Sequence, residues 1–146
     1  MTHFCTPKDK ARESGIDAIL EKAWKVKIYC YGDTLDEVDR YICKEDRVVG
    51  FAEYKCREYS STAFETVFLS WRKFIALKRV SEYSGKPPLF VVRFLDCMKW
   101  IDVNRIDPKK LGIFRRGRPQ RKDDSPNDME PIIEVPISGM IMIKIF

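Results

Sequence analysis

The stretch Leu89-Phe90-Val91-Val92-Arg93-Phe94-Leu95 constrains the fold more than any other feature of the chain. A half-exposed strand alternates apolar and polar residues, whereas a near-continuous apolar run of this length belongs inside a sheet covered on both faces. Met98–Val103 reads as its antiparallel neighbour. Ahead of the run, Ser84-Gly85-Lys86-Pro87-Pro88 ends whatever helix precedes it, because glycine caps and proline cannot continue the ladder.

The rest of the chain supplies elements of matching length. In Ser14–Trp24, Ile16, Ile19, Leu20 and Ala23 fall on one helical face, and Pro7 with the charged stretch Lys8–Glu13 suits the start of that helix. Lys25–Tyr31 alternates lysine with Val26, Ile28 and Cys30, a strand pattern ended by Gly32-Asp33. Val38–Cys43 and Val48–Arg57 are two strands rich in β-branched and aromatic residues, joined by the polar connection Lys44-Glu45-Asp46-Arg47. Ser60-Ser61-Thr62, with Glu65 at capping-box spacing from Thr62, predicts a second helix running to about Tyr83, with Phe64, Val67, Phe68, Trp71 and Ile75 on one side. Ile132–Val135 and Met140–Ile145 read as late strands. The order is helix, three strands, helix, strand, then a β-rich tail. This predicts one α/β domain over residues 1–146 with a mixed sheet, its core about 8–103 and its extension about 104–146.

Composition narrows the function. No apolar run approaches the roughly 18 residues of a membrane span, and Met1-Thr2-His3-Phe4 lacks the charged and apolar regions of a secretory signal. The five cysteines are scattered with no C-x-x-C pair, and His3 is the single histidine. A zinc site is therefore not expected, and reduced thiols fit a cytoplasmic protein. The net charge of +5 permits a polyanionic partner without demonstrating one. Its distribution is more telling. Arg115, Arg116, Arg118, Arg121 and Lys122 crowd one Gly/Pro-containing stretch, followed by the acidic, turn-rich run 123–128.

Chemistry is concentrated at Asp39 and Glu53-Tyr54-Lys55. Hydrolysis of a phosphodiester with metal assistance needs oxygen ligands for Mg²⁺, an activated water, and positive charge near the phosphate. Two carboxylates on adjacent strands provide the first. A lysine two residues after one of them shares its face, because strand side chains alternate with period two. Closing the hairpin places Asp39 roughly opposite Ala52 or Glu53. The carbonyl of Tyr54 is placed to add a backbone oxygen. Acid-x-Lys also occurs at Asp107-Pro108-Lys109, but Pro108 cannot donate within a central strand. Glu53 instead ends the apolar strand Val48–Ala52, where buried charge is costly unless it serves something. The alternative for Glu53 and Lys55 is an exposed salt bridge at a strand end.

These residues, with the order of elements around them, resemble the PD-(D/E)xK nuclease superfamily over roughly residues 8–96. The resemblance implies a restriction-endonuclease-like core with a β-rich C-terminal extension. Asp39 and Glu53 match its two acidic positions and would bind Mg²⁺ or Mn²⁺; Lys55 matches its lysine and would orient the attacking water. Val38 stands where the family name has proline. The superfamily often adds a glutamate from the first helix. Taking Ile16 as zero, Glu13 lies at about 60°, by the apolar stripe, and Glu21 at about 140°, toward solvent, which favours Glu13. The second helix offers Arg72 and Lys73, with Thr66 and Ser70, for phosphate contacts; an ordinary solvated helix face is the plainer reading of each. Trp71 reads as core.

By this resemblance the chain is a Mg²⁺-dependent endonuclease acting on DNA in a bacterial or phage-infected cell, with a homodimer expected. The run from Arg115 to Lys122 would then hold backbone phosphates. No helix-turn-helix or zinc finger is left over to read sequence, so specificity would come from DNA structure, such as a junction or branch, or be loose. The rival is a non-catalytic nucleic-acid-binding or virion-associated protein that keeps the fold.

Overall fold

A computed structural model describes residues 7–30, 38–115 and 129–144, without the side chains of 7–12, 14 and 113–115. Helix α1 (Pro7–Trp24) leads into strand β1 (Lys27–Cys30). Strands β2 (Arg40–Lys44) and β3 (Arg47–Cys56) form a hairpin, followed by β4 (Thr66–Ser70), helix α2 (Trp71–Ser84), β5 (Pro88–Arg93) and β6 (Met98–Asp102). Strands β7 (Leu111–Arg115), β8 (Met129–Pro136) and β9 (Ile141–Met142) complete the described chain.

The main sheet runs β1-β2-β3-β5-β6-β9, and a second, three-stranded sheet runs β4-β8-β7. Among the described strands of the main sheet only β3 and β5 pair in parallel, bridged by the β4–α2 crossover, so the sheet is mixed as expected. Strand β5 holds the interior: Phe90, Val91 and Val92 are completely buried. Its alternate side chains feed two cores. Leu89 and Val91 pack with Ile16 and Leu20 of α1, while Phe90 and Val92 pack with Phe74 and Leu77 of α2 and with Val67, Leu69, Ile133 and Val135 of the second sheet. The expectation of a strand covered on both faces is met by these two layers.

Three elements differ from the sequence reading. The helix expected from Thr62 begins at Trp71, and Thr66–Ser70 is a strand paired with β8. The serine cluster ahead of it caps no helix; the Ser61 amide and hydroxyl both donate to Asp96, at 2.7 Å each. Leu111–Arg115, which the sequence reading assigned to no element, is a strand because β8 lies beside it. The last strand is confined to Ile141–Met142, pairing with Trp100 and Lys99. Helix α2 ends as expected, with Gly85 at φ +70° donating its amide to Ser81. No helix among the described residues is long and apolar enough to cross a membrane.

Candidate active site

The geometry of the site begins with a turn and a bulge. Lys44 pairs with Arg47 across a two-residue turn in which Glu45 and Asp46 have φ of 52° and 63°. That left-handed pair gives the twist a tight hairpin needs, and Asp is among the non-glycine residues that tolerate it best. The register then slips between Ile42 and Cys43: Cys43 faces Val48, but Ile42 faces Gly50, leaving Val49 as the extra residue of a bulge. Arg40 consequently faces Ala52. One residue further, Asp39 comes level with Glu53.

Alternation along β3 sends Ala52 and Tyr54 into the α1 core and Phe51 toward the α2 core, so Glu53 and Lys55 point toward α2. From the first turn of α2, the Lys73 ammonium reaches to 3.5 Å from Asp39 Oδ1 and 3.6 Å from Glu53 Oε2. Glu53 is only 3% exposed, and its Oε2 accepts no hydrogen bond. Burial, and next the neighbouring Asp39 charge, raise the Glu53 carboxyl well above its ordinary range, opposed by Lys73 and Lys55. For Lys73, burial disfavours the charge, but Glu53 and Asp39 outweigh it and hold the ammonium above its usual value. Lys55 is half-buried on the same face as Glu53.

A second charged network lies across the sheet, against α1. Arg40, 7% exposed, points its guanidinium at three acceptors. Nε donates to Asp17 Oδ1 at 3.1 Å, NH2 to Glu13 Oε2 at 3.2 Å, and NH1 to the Asp39 carbonyl at 3.2 Å. The group sits 4.9 Å over the Tyr54 ring, and the Tyr54 hydroxyl donates to Asp17 at 2.6 Å. Burial raises the Glu13 carboxyl against the lowering pull of Arg40, and the Asp39 charge adds to the rise. For Arg40, burial opposes the charge, while Asp17 and Glu13 hold it up.

The residues singled out from the sequence thus fall into separate places. Asp39, Glu53 and Lys73 converge. Glu13 lies within electrostatic reach of Asp39, with its carboxylate held by Arg40. Glu21 accepts from the Ile28 amide at 3.0 Å, fastening α1 to the edge strand. Tyr54 is registered with Val91 in the β3–β5 ladder. Arg72 is exposed. Trp71 stacks on Phe74 at 5.3 Å against the α2 core. Arg115 lies on β7 with its side chain outside the described residues, as Arg116, Arg118, Arg121 and Lys122 do entirely.

Sequence reasoning missed Arg40 and Asp17. The i,i+4 spacing of Glu13 and Asp17, which puts two acids on one helical stripe, was the available signal. Arg40, at an inward position of β2 shared with the buried Ile42, was its complement.

The donor set suits a hard cation. Two carboxylates lie side by side, one with a buried oxygen that accepts no hydrogen bond. Among the described residues no cluster of three or more His, Cys, Asp or Glu side chains forms. That is compatible with Mg²⁺, which commonly takes one or two carboxylates and fills its octahedron with waters and substrate oxygens.

Comparison with known proteins agrees with this architecture. No curated protein matches the sequence. Among solved structures, the fold is similar to that of Hjc, a Holliday junction resolvase from the archaeal hyperthermophile Archaeoglobus fulgidus, at a TM-score of 0.54 and 13% identity over 90% of this chain and 85% of that one. At that identity the likeness establishes the restriction-endonuclease-like fold alone. A family model described as "Phage putative PDDEXK endonuclease" matches residues 2–143, and the chain belongs to that family.

Proposed function

We propose that this protein is a divalent-metal-dependent endonuclease that hydrolyses DNA phosphodiester bonds, with Asp39 and Glu53 holding Mg²⁺ or Mn²⁺. The observation that carries the reading is the convergence of these carboxylates, one of them buried, on a single basic residue. A carboxylate as buried as Glu53 beside a second acid costs stability, and sites of this kind are where perturbed groups do chemistry.

When bound, the ion supplies Lewis acidity and lowers the pKa of a coordinated water. The protein does the rest. Asp39 and Glu53 fix the ion at the junction of β2 and β3, and the Tyr54 carbonyl is a candidate third oxygen. Lys55, on the Glu53 face, orients the attacking water and meets the charge that develops on the phosphate. Glu13, whose Oε2 accepts from Arg40, would be the further carboxylate that the first helix offers the ion. Arg72 and the run Arg115, Arg116, Arg118, Arg121 and Lys122 contact flanking phosphates.

Specificity for junctions or branches, or weak specificity, is part of this reading. It is supported by the resolvase-like fold. Paired cuts in a branched substrate require two sites, hence a homodimer.

The test is cleavage of plasmid, linear duplex, single strand and four-way junction, with and without Mg²⁺ or Mn²⁺, by wild type, Asp39→Asn and Glu53→Gln. Metal-dependent cleavage lost in both folded variants is expected. Activity retained in both would place the chemistry elsewhere. Metal-independent DNA binding without cleavage by wild type would favour the non-catalytic rival.

A further inference from the structure

We infer that Lys73 is an internal counter-ion of the Asp39–Glu53 pair, which a divalent cation must displace and which then passes to the substrate phosphate. This rests on the nuclease reading above and deepens it.

The ammonium lies within 3.5 and 3.6 Å of one oxygen of each carboxylate, distances that are electrostatic contacts more than short hydrogen bonds. It is three-quarters buried with them, the Lys73 side chain being 24% exposed and that of Glu53 5%. In the metal-free protein, Lys73 is thus the positive charge in direct contact with two carboxylates that repel each other, and Lys55 on the same face adds a smaller opposing charge. Adding a dication reverses the imbalance, because the site would then hold three positive charges against two. A phosphodiester contributes the missing negative charge. Metal, Lys73, both carboxylates and one scissile phosphate together are neutral; no subset containing the metal and Lys73 without phosphate is. Lysine is suited to such an exchange, as a point charge on a flexible four-carbon stem with no fixed fork to break. Lys73 also stands in the first turn of α2, the end of a helix that favours anions. Metal and DNA should therefore bind with positive coupling through this residue, each raising the affinity for the other by the same factor.

The experiment is calorimetric titration of Mg²⁺ into the metal-free, DNA-free protein, repeated with a phosphorothioate four-way junction present. The proteins are wild type, Lys73→Met, Lys73→Gln and Lys73→Arg. Loss of the charge should tighten Mg²⁺ binding to the free protein about five- to tenfold in Lys73→Met and Lys73→Gln. Lys73→Arg should stay near wild type. The gain in Mg²⁺ affinity that DNA confers on wild type should shrink in the two neutral variants. Lys73→Gln keeps a polar side chain and carries the test if Lys73→Met fails to fold. Equal or weaker Mg²⁺ binding in the folded neutral variants would overturn this inference while leaving the nuclease reading intact. No Mg²⁺ binding by any of the four proteins would overturn both.

Discussion

The Tyr54 hydroxyl donates to Asp17 Oδ1 at 2.6 Å, and the same carboxylate oxygen accepts Arg40 Nε at 3.1 Å. This junction ties β2, β3 and α1 together on the sheet face opposite Glu53. Through its NH1 contact to the Asp39 carbonyl, it also sets the backbone from which one member of the carboxylate pair projects. Burial, and then the bond to Asp17, hold the Tyr54 hydroxyl in its neutral form far beyond physiological pH.

Arg40→Met should therefore be among the most damaging single changes. It removes one partner of a buried charged network and leaves Glu13 and Asp17 without their cation, at a cost of about 3–5 kcal/mol. Arg40→Lys keeps the charge but cannot serve three acceptors with a planar fork, so it should recover only part of the loss. Urea unfolding of the three proteins measures this; a loss under about 1 kcal/mol for Arg40→Met, the range of a surface pair, would show the network to be peripheral.

The pH dependence of the metal-free protein follows from Glu53. Its carboxyl is raised above 4.5 in the folded state by burial and by Asp39. The folded protein thus binds this proton more tightly than the unfolded chain. The corresponding stability is fully present below the unfolded value and is lost as pH rises through the folded one. In EDTA, stability should fall as pH climbs out of the ordinary carboxylate range, and Glu53→Gln should flatten that decline. Glu13, raised in the same direction, should leave a residual slope. A stability that rises over this interval in wild type, measured by urea midpoints at constant ionic strength, would contradict the burial argument.

Lys55→Ala should separate binding from chemistry. The ammonium is no metal ligand, and its benefit grows as charge develops in the transition state. Turnover at saturating metal should drop on the order of 10²-fold or more, with Mg²⁺ affinity nearly unchanged by calorimetry. A variant that lost metal binding yet kept its rate at high metal would reassign Lys55 to holding the site together.

How much of this was legible in the sequence depends on the range of the forces involved. The acidic pair, the lysine on its face and the buried β5 strand were readable because period-two alternation and apolar runs are local. The choice between Ala52 and Glu53 as the neighbour of Asp39 was not, because a one-residue bulge at Val49 decides it, and a bulge leaves no composition of its own. Thr66–Ser70 was ambiguous for a different reason. Val67, Phe68, Trp71 and Ile75 satisfy a helical stripe, while Val67 and Leu69 equally satisfy an inward-facing strand. Pairing with β8, more than sixty residues away, settles it. That decision also moves the start of α2 to Trp71 and brings Lys73 into its first turn, against the carboxylates. The reach of Lys73 is thus a consequence of long-range pairing that local periodicity cannot report.

The same pairing bears on Arg115, the first residue of the basic run. Arg115 is registered with Met129 at the last described rung of the β7–β8 ladder, and β8 places Ile132 opposite Ser70, where β4 hands over to α2. The β8 strand thus reaches the start of α2, the helix that delivers Lys73 to the carboxylates; Arg116, Arg118, Arg121 and Lys122 lie outside the described residues. Neutralising Arg115 and these four together should weaken DNA binding about uniformly across sequences, because phosphate contacts carry no base information. The log–log salt slope should become shallower by about 0.7–0.9 for each phosphate that is no longer neutralised. Metal affinity should hardly change, because none of these residues is a ligand in the proposed metal site. Fluorescence anisotropy across a salt series, with Mg²⁺ calorimetry beside it, reads both quantities. An unchanged salt slope would mean that the run is only a solvated surface, and the path of the DNA would then have to be traced from Arg72 along the exposed side of α2.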